Sequence, residues 1–75
     1  KLLAEITFPT GEDGVADINH TFVDESLRGR GVAGQLVQAA AQELRAQGRR
    51  TRTSCWYAAQ WFEKHPQEQD VLYKE

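Results

Sequence analysis

Leu27-Arg28-Gly29-Arg30-Gly31-Val32-Ala33-Gly34-Gln35-Leu36-Val37 runs from a glycine-rich loop straight into an amphipathic helix. Past the loop, Val32, Leu36, Val37, Ala40 and Leu44 recur at helical spacing, while Gln35, Gln38, Gln42 and Glu43 fall on the other face. Arg45 in the last turn and Gly48 just beyond it are stop signals. The pattern predicts a helix from about Gly29 or Gly31 to Gln47. Glycines at 29, 31 and 34 let backbone amides approach a ligand closely. The first N–H groups of a helix lack partners and sit at the positive end of its dipole. With Arg28 and Arg30 beside them, they make an anion site, and phosphate is the usual occupant. A flexible helix entry with solvated arginines would read the same way. The Gly-Lys-Ser/Thr ending of a Walker loop is absent. Also absent is the acidic residue that a dinucleotide fingerprint carries ~20 positions on, where this chain is arginine-rich.

Upstream, Leu2, Ala4, Ile6 and Phe8 alternate with polar residues, which predicts a half-buried strand ended by Pro9. Gly11-Glu12-Asp13-Gly14 is turn chemistry. A second run follows, with Val15, Ile18, Phe22 and Val23 as its apolar members, and the two should pair as a hairpin. Downstream, Arg49 to Ser54 reads as a third strand; without large aliphatics, it suits an edge. Ala58 to Lys64 reads as a short helix with Ala58, Trp61 and Phe62 inward, closed by Pro66. Val71-Leu72-Tyr73 forms an apolar tail able to pack back on the core. The order β-β-α-β-α implies an α+β (α/β-like) fold: a small mixed sheet, one long helix and one short, with a right-handed βαβ crossover.

Seventy-five residues suffice for a single domain, 1–75, with a thin core. A ligand site should therefore be a groove or a cleft between elements. A net charge of −2 argues against nucleic acid as the main partner. The arginines nevertheless cluster, at 28 and 30 and again at 45, 49, 50 and 52, as suits a small polyanion. No apolar run approaches the ~20 residues of a membrane span, and no signal peptide is visible. Cys55 alone forbids an internal disulfide and the usual zinc sets. These features lead us to expect a cytoplasmic protein, monomeric or weakly dimeric.

Arg28-Gly29-Arg30-Gly31-Val32-Ala33 resembles the Arg/Gln-x-x-Gly-x-Gly/Ala signature of the GNAT N-acetyltransferase superfamily. His20-Thr21, Ser54-Cys55-x-Tyr57 and Phe62-Glu63-Lys64-His65-Pro66 extend the likeness to the minimal YjdJ-type branch, across Ile18 to about Leu72. Two departures stand out. Thr53 replaces a proline usual in that branch, and a further N-terminal strand usual there is lacking, which would either leave an open sheet edge or mean that the sequence is an incomplete fragment. The resemblance implies a minimal GNAT-like core that binds acetyl-coenzyme A (acetyl-CoA / CoA). The pyrophosphate would lie on Arg28, Gly29, Arg30, Gly31, Val32, Ala33 and Gly34. The pantetheine arm would run along the preceding strand at Phe22 and Val23. Acyl transfer would go to an unidentified amine; a coenzyme A-binding module with little turnover is the alternative.

Cys55 follows a strand and precedes a helix, where amides lower a thiol pKa. The resemblance places it near the thioester as the suspected catalytic residue. By residue type alone, a buried structural cysteine is the commoner outcome. His20 suits a general base, or a strand-end histidine bonded to backbone or water. His65, before Pro66, reads as structural or capping. Tyr57 or Trp56 could line the groove, while Trp61 and Phe62 should pack in the core.

Overall fold

The computed structural model describes residues 3–73. Strand β1 (Ala4–Thr7) leads through the Gly11–Gly14 turn to β2 (Ala16–Ile18) and β3 (His20–Val23). A short 3-10 turn (Glu25–Leu27) and the glycine loop open α1 (Val32–Ala46), followed by β4 (Thr51–Thr53), α2 (Trp56–Lys64) and a second 3-10 helix (Pro66–Val71). Ala4, Ile6 and Phe8 fall in the described part of the first run; Leu2 lies outside the described residues.

The expected hairpin is present, but its second strand is broken in two. Thr7 pairs with His20, whereas Thr10 bridges to Ala16. Three steps along the first strand thus face four along the second, which leaves one extra residue. Asn19 occupies the step, with its amide on Thr7 O (3.2 Å) and its side chain accepting from Thr7 Oγ1 (2.6 Å). This bulge inverts the alternation. Ile6 and Phe8 pack on the core that holds Ile18, and on the same face of the hairpin Thr21 lies opposite Ile6 and Val23 opposite Ala4. His20 and Phe22 fall on the opposite face, with Glu5 and Thr7.

β2 pairs in parallel with β4, Ala16 opposite Thr51 and Ile18 opposite Thr53, so the arrangement is mixed, as expected. The expected edge position of β4 is only half observed. On its other side Leu72 bridges to Thr51, and the Tyr73 amide donates to Thr51 O at 2.9 Å. The apolar tail therefore packs back, with Val71 fully buried. Thr51 is fully buried too. Its hydroxyl donates to the carbonyls of Ala16 and Arg52, so a strand poor in aliphatics still fills the interior.

Both helices press on one core of Ile18, Val37, Ala40, Ala41, Ala58, Trp61, Phe62 and Val71. Trp61 meets Phe62 edge-on with centroids 5.1 Å apart, and stacks on His65 at 4.1 Å. α1 stops where its sequence says it should. Gly48 takes φ +70°, its amide donates to Arg45 O, and the Arg49 amide reaches back to Leu44 O, a Schellman closure. α2 ends at Lys64, two residues before the proline. His65 closes it through an amide bond to Phe62 O and an Nδ1 contact of 2.7 Å to Trp61 O. Pro66 then starts the 3-10 helix rather than a loop. Among the described residues no helix is long and apolar enough to cross a membrane.

Candidate functional site

The parallel pairing of β2 with β4 ends at Ile18 and Thr53, followed by one last bond from the Cys55 amide to Ile18 O (2.9 Å). β3 continues past this point paired with β1, and among the described residues it has no ladder to β4. The opening holds a cleft of about 350 Å³. Thr21 and Val23 of β3 line one side, Leu27, Arg28, Gly29 and Gly31 the approach, Val32 and Ala33 the first turn of α1, and Tyr57 of α2 the far side.

The loop owes its shape to two glycines. Gly29 has φ +84° and Gly31 has φ +74°, and a Cβ on either would meet nothing within 4 Å. Backbone conformation, not space, demands glycine there. Gly31 is also the N-cap of α1 and offers no side-chain bond, so the leading amides of the helix are left for another acceptor. Upstream, Asp24 caps the 3-10 turn. Its carboxylate accepts from the Ser26 hydroxyl (2.6 Å) and amide (3.0 Å), which with Arg28 nearby hold it below the ordinary carboxylate range.

Cys55 lies directly behind the cleft wall. Its Sγ is 3.6 Å from Thr21 Oγ1, and the side chain packs against the core. Burial pushes the thiol pKa up. Hydrogen bonds from the Ala58 amide, the Thr21 hydroxyl and the Tyr57 amide to the ionised sulfur outweigh it, and the net shift is downward. As N-cap of α2 the neutral thiol makes no capping bond; the amides act on the thiolate.

Of the residues singled out in the sequence, Val23, Arg28, Gly29, Gly31, Val32, Ala33 and Tyr57 converge on the cleft, with Cys55 one contact away. Phe22 and His20 do not, because the bulge sends them to the other face; His20 Nε2 sits 3.9 Å from Glu5 Oε1. Arg30 is exposed and outside the lining. Gly34 serves helix packing: a Cβ there would come within 3.3 Å of Trp61 Nε1 and 3.5 Å of Tyr57 OH. The arginine cluster also divides. Arg45 forks onto Asp70 (2.7 and 2.8 Å) and Glu68 (3.0 Å), and Arg52 pairs with Asp13 and lies 4.5 Å from the Tyr73 ring centre. Arg49 donates to Thr10. These three and Arg50 lie towards the far end of α1 or beyond it, so of the clustered arginines only Arg28 lends its charge directly to the cleft wall. Thr21 and Leu27 are cleft residues that alternation and composition missed; asparagine in mid-strand at position 19 was the one visible hint. Among the described residues no group of three or more His, Cys, Asp or Glu could hold a metal ion.

Comparison with known proteins bears on this arrangement. A family model described as GCN5-related N-acetyl-transferase matches residues 1–71. The chain is similar to protein NATD1 from Bos taurus, 33% identical over 52 residues, covering 69% of this chain and 46% of that protein. It is similarly related to protein NATD1 from Gallus gallus (31% over 52 residues, 69% of this chain and 47% of that protein) and from Homo sapiens (31% over 52 residues, 69% and 46%). The chain thus spans about half the length of the curated relatives it matches.

Proposed function

The chain belongs to the GCN5-related N-acetyltransferase family, and on that premise we propose that it binds acetyl-coenzyme A in the β3–α1–α2 cleft and transfers the acetyl group to an amine. The observation that carries the reading is the uncapped start of α1, preceded by two positive-φ glycines, forming one wall of the cleft. Such a donor set fits a pyrophosphate: amides without acceptors, no side chain in the way, and Arg28 for charge. Val23 and Thr21 would border the pantetheine arm, and Tyr57 would close the opposite side.

Bound acetyl-coenzyme A supplies an acetyl group activated as a thioester. The protein's contribution is to hold the phosphates by backbone amides, screen the arm from water between β3 and Tyr57, and keep a nucleophilic sulfur at hand. Cys55, ionised more readily than a free thiol and in contact with Thr21, is competent to accept an acyl group. A second reading, coenzyme binding with little turnover, draws support from the size of the cleft. At about 350 Å³ it is near the lower end for ligand pockets, and the second concavity, beside Arg49 and Arg50, lies at the other end of α1.

Calorimetric titration with acetyl-coenzyme A, beside 4′-phosphopantetheine and free pantetheine, tests the proposal. Affinity should fall sharply when the pyrophosphate is missing. Equal affinity for pantetheine would overturn the loop as the anchoring site. Turnover with amines that disappears in Cys55→Ala while binding persists would separate catalysis from mere binding.

A further inference from the structure

Asp17 is the middle residue of β2 and stands opposite Arg52 of β4, on the face away from the helices. Its carboxylate reaches instead to Ser54, one residue past the end of β4. Oδ1 accepts the Ser54 amide at 3.0 Å and Oδ2 the Ser54 hydroxyl at 2.7 Å. The next bond along the chain is the Cys55 amide to Ile18 O, and the next contact is Cys55 Sγ against Thr21 Oγ1. These ties lie in sequence at the vertex where β3 and β4 part company. Beyond them no ladder holds the two strands together among the described residues. A two-pronged bond to a carboxylate is among the stronger neutral-donor attachments, and it fixes orientation as well as distance.

We infer that Asp17 is a positioning residue, gripping Ser54 so that Cys55 is held against Thr21 at the base of the cleft. The inference deepens the acetyl-transfer reading and rests on it for its purpose, but not for its geometry. Asp17 touches neither the cleft nor the sulfur; its effect passes through Ser54. Without the grip, the turn between β4 and α2 gains freedom. The sulfur then loses its fixed relation to the Thr21 hydroxyl and to the amides of Tyr57 and Ala58.

The test is the pH–rate profile of Cys55 alkylation by iodoacetamide in the ligand-free protein, with coenzyme A titration run alongside. Asp17→Ala and Ser54→Ala should slow alkylation at neutral pH and move the profile to higher pH. Each unit of upward shift removes about tenfold of the thiolate at neutral pH. Ser54→Thr keeps both donors and should restore the wild-type profile. Asp70→Asn, which cuts an ion pair outside the cleft, serves as the control and should leave the profile alone. Ser54→Ala, the milder change, retains the amide bond and guards against loss of folding in Asp17→Ala. A folded Ser54→Ala or Asp17→Ala protein with the wild-type alkylation profile would overturn the inference. Failure of the wild-type protein to bind coenzyme A would instead overturn the acetyl-transfer reading, and the alkylation profiles would still decide the role of Asp17.

Discussion

Replacing Gly31 by valine is the sharpest perturbation of the proposed pyrophosphate site. The residue sits at φ +74°, ψ 14°, as the N-cap of α1. An added Cβ meets no atom within 4 Å, so the cost is conformational: roughly 1–2 kcal/mol for an L-residue held left-handed, and at the upper end for a β-branched one. A chain of 75 residues has on the order of 4–11 kcal/mol of stability. The variant should therefore remain folded, with a melting temperature lower by about 4–16 °C. Binding should suffer more than folding. If the loop relaxes to a negative φ, the amides at the head of α1 no longer converge. One lost hydrogen bond to a charged phosphate is worth about 1.5–3 kcal/mol, or roughly 10- to 150-fold in affinity. Calorimetry with acetyl-coenzyme A and a thermal melt on the same sample give both numbers. A folded Gly31→Val protein with undiminished affinity would show that the glycine loop does not anchor the coenzyme.

Four further outcomes are expected. Ala33→Glu places a carboxylate in the cleft wall and should weaken coenzyme binding by electrostatic repulsion, with little change in melting temperature, as read by the same titration. Gly34→Leu forces a side chain between α1 and the Trp61–Tyr57 surface, so urea denaturation should report a loss of about 1–3 kcal/mol; an unchanged midpoint would contradict the close approach. Leu44→Ala empties a core position only 1% exposed and should cost about 2–5 kcal/mol, a large share of the total, read as a lowered midpoint in the same urea denaturation. Melting temperature should fall with acidification, because Asp13, Asp24 and Asp70 are all held below the ordinary carboxylate range by their hydrogen-bond partners, Arg52, Ser26 and Arg45 in turn. Depressed pKa values mean the unfolded chain takes up protons first. Their contribution is present above the unfolded carboxylate pKa and is lost as pH falls through the folded values; Asp70→Asn should flatten that slope.

Where interactions are local, the residues announced the structure. Gly48 after an Arg45-containing turn foretold the end of α1, and the Leu36–Leu44 periodicity foretold its buried face. The hairpin, the parallel return of β4 and the inward set Ala58, Trp61 and Phe62 were likewise readable. The residues that escaped notice depend on partners far along the chain. The extra residue at Asn19 exists only relative to Thr7 and Thr10 on the other strand, so Phe22, grouped with the cofactor contacts by resemblance, turns away from the cleft and Thr21 lines it instead. Arg45 looked like part of a basic patch because Asp70, 25 positions later, is what neutralises it. Gly34 looked like part of the phosphate loop because the indole that needs the space belongs to α2. The loop glycines themselves were legible, since a demand for positive φ is written in the residue type.

The bulge at Asn19 acts as a parity switch on the strand that follows it. Every side chain from His20 to Val23 is assigned inward or outward by whether the count of residues before it is odd or even. Ironing the bulge out with no residue lost, so that Asn19 paired with Thr7, would exchange the two sets wholesale. The cleft would then be walled by an imidazole and a phenyl ring instead of a hydroxyl and an isopropyl group, with no residue of the glycine loop or α2 altered. Relatives of this chain in which this stretch, at the same length, pairs without the bulge should therefore diverge in chemistry more than relatives that differ by several substitutions.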